Sequence, residues 1–206
     1  MTHSLCRWPT GFLKTAPLSQ AYQGYASGDL DKDAYSCRYF ESQNIEMMIS
    51  QSYSKNFGLY GERIGALSVT TNGGPEVAKA IQSQLKMIVR PMYSNPPSNG
   101  ARIVAHVLST PELYAEWVAE LKGMSGRIIE MRGKLRSGLE KLKPENDWSF
   151  ITTQIGMFAY TGLTAEQVGR LGSEFNIFML KSGRISMAGV SEATVGYLAE
   201  SIAKVL

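Results

Sequence analysis

The chain has 206 residues, 44% of them hydrophobic and 19% charged, with a formal net charge of +3. That balance excludes a disordered chain, which combines low hydrophobicity with high net charge, and no apolar run reaches the roughly 20 residues a membrane-spanning helix needs. Lys and Arg form no block of the kind that tracks a phosphate backbone, so neither nucleic acid nor a membrane is an expected partner. With only Cys6, Cys37, His3 and His106 to draw on, neither a disulfide framework nor a metal site is expected.

The residues before the first acid, Asp29, include Arg7, Lys14 and several Ser and Thr, an acid-poor composition like that of an organelle transit peptide. Pro9, Gly11 and Pro17 interrupt any amphipathic helix there, so composition leaves targeting open. Residues 26–33 read as a loop into a helix with acids near its start. Two stretches of strand length follow at 45–49 and 64–71, the second closed by Asn72, Gly73, Gly74 and Pro75. Residues 76–89 read as a helix with Val77, Ala80, Ile81, Leu85 and Ile88 on one side, followed by a Pro-rich turn over 90–97.

The strongest periodicity spans 111–142, where Tyr114, Trp117, Leu121, Met124, Ile128, Met131, Leu135 and Leu139 recur every three or four residues. Thr110 before Pro111 supplies a cap and first turn, and Lys143-Pro144 a stop. Such a helix is roughly 45–50 Å long, enough to bridge two lobes. Residues 151–160 are strand-like, Thr164 with Gln167 suggests a capping box, and 177–180 and 184–187 flank Lys181-Ser182-Gly183 as a hairpin. Residues 193–206 close the chain as a helix with Val195, Leu198, Ile202 and Val205 inward. The order predicts an α/β part followed by a smaller α+β lobe.

Several residues invite a chemical reading. Lys55 follows an apolar stretch and reads either as a desolvated amine able to attack a carbonyl or as an ordinary solvated lysine. Arg63, eight residues on, suits an anionic group. Arg90 and Arg184 read either as surface arginines or as forks for the carboxylates of a dicarboxylic substrate, and Phe158 and Tyr160 read as core. A second class is also legible. Ser52 with Lys55 fits S-x-x-K, Tyr93-Ser94-Asn95 a Y-x-N, and Lys181-Ser182-Gly183 approximates K-T-G, the order of a penicillin-binding serine acyl-transferase. The same S-x-x-K spacing recurs at Ser83 and Ser201, which makes that pattern cheap.

Five motifs in order carry a more specific resemblance. They are Ala21-Tyr22-Gln23-Gly24-Tyr25-Ala26-Ser27-Gly28-Asp29-Leu30-Asp31, Ser52-Tyr53-Ser54-Lys55-Asn56-Phe57-Gly58 with Gly61-Glu62-Arg63, Ser94-Asn95-Pro96-Pro97 with Gly100-Ala101-Arg102, Gln154-Ile155-Gly156-Met157-Phe158, and Gly183-Arg184-Ile185-Ser186-Met187-Ala188-Gly189. Through them the chain resembles the carboxyl-terminal half of the aspartate aminotransferases, which are pyridoxal 5'-phosphate (PLP) dependent enzymes of fold type I. The resemblance implies an α/β fold: a leader without a match at 1–20, a remnant of the PLP-binding large domain at 21–110, a long interdomain helix at 111–142 and a small α+β C-terminal domain at 143–206.

The same resemblance implies residue roles. Lys55 would carry PLP and shuttle the proton at the substrate α-carbon, Tyr22 would bond the cofactor's phenolic oxygen, and Ser52 and Arg63 would hold its phosphate. Arg184 would grip the substrate α-carboxylate, Arg90 would reach the distal carboxylate across a dimer interface shaped by Asn95, and Phe158 would line the pocket. The implied reaction moves an amino group from L-aspartate to 2-oxoglutarate, giving oxaloacetate and L-glutamate, in the cytoplasm or the mitochondrial matrix. Members of the family are far longer, and their acidic partner for the pyridine nitrogen would fall at Ser19. The expectation is therefore a truncated chain of impaired activity, a homodimer, or an inactive partial subunit docked on a full-length homologue.

Overall fold

A computed structural model of the chain describes residues 16–206, so the leader residues 1–15, Cys6, Arg7 and Lys14 among them, lie outside the described residues. In chain order the elements are β1 (Ala16–Gln20), α1 (Leu30–Asp33), α2 (Tyr35–Ser42), β2 (Met47–Ser52), β3 (Gly65–Val69), α3 (Gly74–Tyr93), α4 (Asn99–Ser109), α5 (Pro111–Leu142), α6 (Phe150–Thr153), β4 (Phe158–Tyr160), α7 (Ala165–Phe175), β5 (Arg184–Ser186) and α8 (Glu192–Val205). The described residues form two compact units, one of residues 16–21 and Ala34–Val104, the other of Tyr22–Asp33 and Ala105–Leu206.

The first unit holds a three-stranded sheet in the order β1-β2-β3. β1 runs parallel to β2, with Ala16 opposite Met47 and Gln20 opposite Gln51; β3 runs antiparallel, with Met48 opposite Val69 and Ser52 opposite Gly65. The stretch read as the end of a leader is thus a strand from Ala16 onward. On α3, Ile81 and Leu85 line a groove with Leu67 and Val69 of β3. This helix runs through Pro91 to Tyr93, where the sequence suggested a turn beginning at Arg90. A proline near a helix end forfeits little, because it removes only its own bond to the fourth residue back. Ser94 then ends the helix at φ +64°. The sequence reading did not anticipate α4; its second residue, Gly100, sits so close to Glu62 and Ile64 that a β-carbon there would lie 2.9 Å from the Glu62 Cβ.

The core is in the second unit. Leu121, Ile128, Met131, Leu135 and Leu139 of α5 are buried with Val195, Leu198, Ala199, Ile202 and Val205 of α8, and with Val168 and Leu171 of α7. These are largely the stripes anticipated from periodicity, although Tyr114 and Met124 stay exposed. α7 opens with the expected capping box: the Thr164 side chain accepts from the Gln167 amide and the Gln167 side chain from the Thr164 amide.

Two expectations fail here. Residues 150–153 are helical, because the Thr152 and Thr153 hydroxyls donate back to the Ser149 and Phe150 carbonyls, and strand begins only at Phe158. β5 pairs not with 177–180 but with β4, Phe158 opposite Ser186 and Tyr160 opposite Arg184. Which segment it pairs with is a long-range choice.

Candidate functional site

In the first unit, β2 and β3 are joined by a loop closed at its neck, where the Tyr53 amide donates to the Ile64 carbonyl at 3.1 Å. Lys55 sits in this loop between Ser54 and Asn56, which are 4% and 3% exposed, so its backbone is fixed while its side chain is half-buried. Its Nζ lies 6.0 Å from the centroid of the Tyr60 ring. Tyr53 packs edge-on against Phe57, and burial pushes its phenol above the usual range.

Ser52 forms the last rung of the β2–β3 ladder with Gly65, and Arg63 lies two residues before that glycine. The Ser52 Oγ accepts the Ser54 amide at 3.3 Å, leaving its own proton to donate. Arg63 is exposed, holds φ at +50° and donates from one Nη to the Tyr60 carbonyl at 3.2 Å. A non-glycine residue in the left-handed region costs about 1–2 kcal/mol, and such strain gathers at functional positions. Ser52 and Arg63 thus bring a hydroxyl and a guanidinium to the two ends of the loop that carries Lys55, residue types that could hold a phosphate group. Arg90 lies within the last turn of α3, exposed, with its guanidinium donating to the Ser94 Oγ at 2.9 Å. Ser19 stands in β1 opposite Ser50.

In the second unit the sequence-predicted residues Tyr22, Phe158 and Arg184 come together. The Arg184 guanidinium carbon lies 3.8 Å from the Phe158 ring centroid. The Tyr22 ring meets Phe158 edge-on, at 6.2 Å between centroids and 84° between planes. Arg184 is exposed and stacked but forms no salt bridge with a described carboxylate, so the fork of its guanidinium can receive a ligand's carboxylate. An apolar cavity of about 780 Å³ borders the pair, lined also by Ile177, Leu180, Val190 and Leu198.

The residues that hold this cluster were not singled out from the sequence. Asp33 read only as an acid near a helix start, yet its carboxylate accepts the amides of Gly24 and Ala26 at 2.7 and 3.0 Å and the Ser27 hydroxyl at 2.8 Å. The same loop is tied to α5 by the Ser125 hydroxyl, which donates to the Tyr25 carbonyl at 3.1 Å. It also approaches α5 closely at Gly24 (φ +92°), where a β-carbon would lie 2.2 Å from Leu121 Cδ2. Arg132, 3% exposed, donates to the carbonyls of Ile151, Gly156 and Phe158, and burial lowers the pKa of its guanidinium. No local pattern marks an arginine on an apolar stripe as a carbonyl clamp.

The fold is a partial aminotransferase fold. The chain belongs to the family Aminotransferase class I and II, whose model matches residues 18–202. It is 55% identical over 190 residues to the mitochondrial aspartate aminotransferase of Gallus gallus, a match covering 92% of this chain and 45% of that protein. It is 52% identical over 182 residues to the cytoplasmic aspartate aminotransferase of Oryza sativa subsp. japonica, covering 88% and 44%. Among solved structures, a mitochondrial aspartate aminotransferase from Trypanosoma brucei superposes with a TM-score of 0.88 at 46% identity, over 93% of this chain and 50% of that one. The aromatic-amino-acid aminotransferase of Burkholderia pseudomallei, covalently bound to pyridoxal phosphate, does so at 0.89 and 45%, over 93% and 48%. The chain spans about half the length of the curated relatives it matches.

Proposed function

We propose that this chain carries the PLP-tethering and carboxylate-gripping residues of an aspartate aminotransferase, acting on dicarboxylic amino acids and 2-oxo acids such as L-aspartate and 2-oxoglutarate. The observation that carries the reading is the Arg184–Phe158 stack at 3.8 Å, an exposed guanidinium held by an aromatic face. When bound, PLP supplies an electron sink for the bond broken at the amino-acid α-carbon. Lys55 holds the cofactor through its Nζ and, once released, moves the proton at the substrate α-carbon. Ser52 and Arg63 take the phosphate, and Tyr22 donates to the phenolic oxygen. Arg184 orients the α-carboxylate and Arg90 takes the distal one from across a homodimer interface.

A PLP titration of the purified chain, read by visible absorbance and borohydride trapping with Lys55→Ala as control, tests this. A saturable adduct that requires Lys55 supports a cofactor site within this chain. An adduct indifferent to Lys55, or none, overturns it.

A second reading has its own support. Among the described residues α3 buries no side chain, and Met87, Ile88, Met92 and Tyr93 are 65%, 56%, 70% and 55% exposed. Such exposed apolar side chains suit a chain that associates with a longer aminotransferase as a catalytically silent partial subunit. Co-purification with a full-length homologue, and the activity of the mixed species, separates this reading from the first.

A further inference from the structure

β4 is three residues long and pairs with β5 on one edge only, in a two-stranded sheet. Its open edge carries the carbonyl of Phe158 and both backbone groups of Tyr160, and side chains occupy all three. Arg132 donates to the Phe158 carbonyl and, at 2.8 and 2.9 Å, to those of Ile151 and Gly156. Gln154 accepts the Tyr160 amide at 2.7 Å and donates to the Tyr160 carbonyl at 3.0 Å, the two-way exchange a neighbouring strand would make. Phe158 lies under Arg184, and Tyr160 is the register partner of Arg184.

We propose that Arg132 and Gln154 are positioning residues for the carboxylate-binding arginine: together they stand in for a missing third strand and hold Phe158 beneath the Arg184 guanidinium. The inference rests on the reading of Arg184 as a carboxylate ligand. Its physical basis is that a three-residue strand with an unpaired edge is poorly fixed, whereas a gap of about 0.5–1 Å opening between a guanidinium and the ring it stacks on forfeits a quarter to a half of the contact energy. Arg132 supplies a rigid planar fork that one ammonium cannot copy.

The test uses the full chain, ¹⁵N-labelled, with the Arg184 Nε–Hε resonance assigned by Arg184→Lys and its ring-current shift defined by Phe158→Leu. In Arg132→Met and in Gln154→Met, that resonance should lose most of the Phe158 shift. Succinate, the probe dicarboxylate, should bind about tenfold more weakly. Arg132→Lys should recover part of both. Gln154 is only half-buried, so its variant carries the test if Arg132→Met does not fold. Unchanged shift and affinity in Gln154→Met and Arg132→Lys, with only a lowered melting temperature, would make these residues structural staples and overturn the proposal. If the wild-type chain does not bind succinate, the reading of Arg184 fails, while the ring-current comparison still decides whether the two residues position it.

Discussion

Arg184 and Phe158 sit on paired strands, two register steps apart, so that the guanidinium of one lies 3.8 Å above the ring of the other. Twenty-six residues of sequence separate them, and no helix or strand periodicity links them. The pairing of β4 with β5 brings the two together, and the stack turns an exposed arginine from a wandering head into a fixed donor.

Removing the ring should therefore weaken carboxylate binding without unfolding the chain. A cation over an aromatic face contributes about 0.5–2 kcal/mol, so Phe158→Leu should bind succinate about 2- to 30-fold more weakly. Arg184→Ala should lose the affinity altogether, with stability lowered by only about 0.5–1 kcal/mol, because the side chain is exposed and the ring contact is its main tie. Isothermal titration with succinate, alongside a urea melt of each variant, checks both.

At Arg63 the backbone works against the residue. With φ at +50°, glycine is the better fit. Arg63→Gly should be more stable than Arg63→Ala by about 1 kcal/mol, while both lose the guanidinium and bind PLP equally poorly. Denaturant midpoints and PLP titrations of the pair separate strain from ligand contact; equal stability of the two variants would refute the strain.

The two units should differ in stability. In the first, the buried hydrophobic residues among those described are Met47 and Val104, while the second buries a continuous cluster over α5, α7 and α8. Each buried aliphatic or methionine side chain contributes about 1.5–3 kcal/mol, so amide exchange should be slow in α5 and α8 and fast in α3. Hydrogen-exchange mass spectrometry reads this directly. Protection of α3 equal to that of α8 would require a partner covering its face.

At the start of α7, Thr164→Ala breaks the capping box and should cost about 1 kcal/mol. The loss should appear in the melt of the second unit. Thr164→Ser should keep the stability.

Tyr53 gives an alkaline limit to the first unit. Burial holds its phenol neutral and raises its pKa above the ordinary tyrosine value of about 10. Below that value both the folded and unfolded states are protonated and the contribution is intact. Above it the unfolded state ionises first, so stability falls as pH rises through the folded pKa. Urea midpoints at pH of about 8 and about 11 should drop more for the wild type than for Tyr53→Phe.

The sequence by itself determined the helices whose faces are periodic, α5 and α8, the capping box at Thr164, and the ordered motifs that identify the family. Each is a local property, set by the 3.6-residue repeat, by a cap three residues from its partner, or by residue identity within a short motif. Its reading stopped where the decision is long-range. It ended α3 at Val89 although the helix continues through Pro91, took 151–160 as one strand, paired 184–187 with the wrong segment and missed α4. It named Tyr22, Phe158 and Arg184 separately, and only the tertiary structure brings them into one cluster. Nor did it give a role to Arg132, Gln154 or Asp33, whose work is to bond backbone groups 6 to 26 residues away. Backbone carbonyls and amides look alike in every sequence, so a side chain that clamps them leaves no pattern until the chain has folded around it.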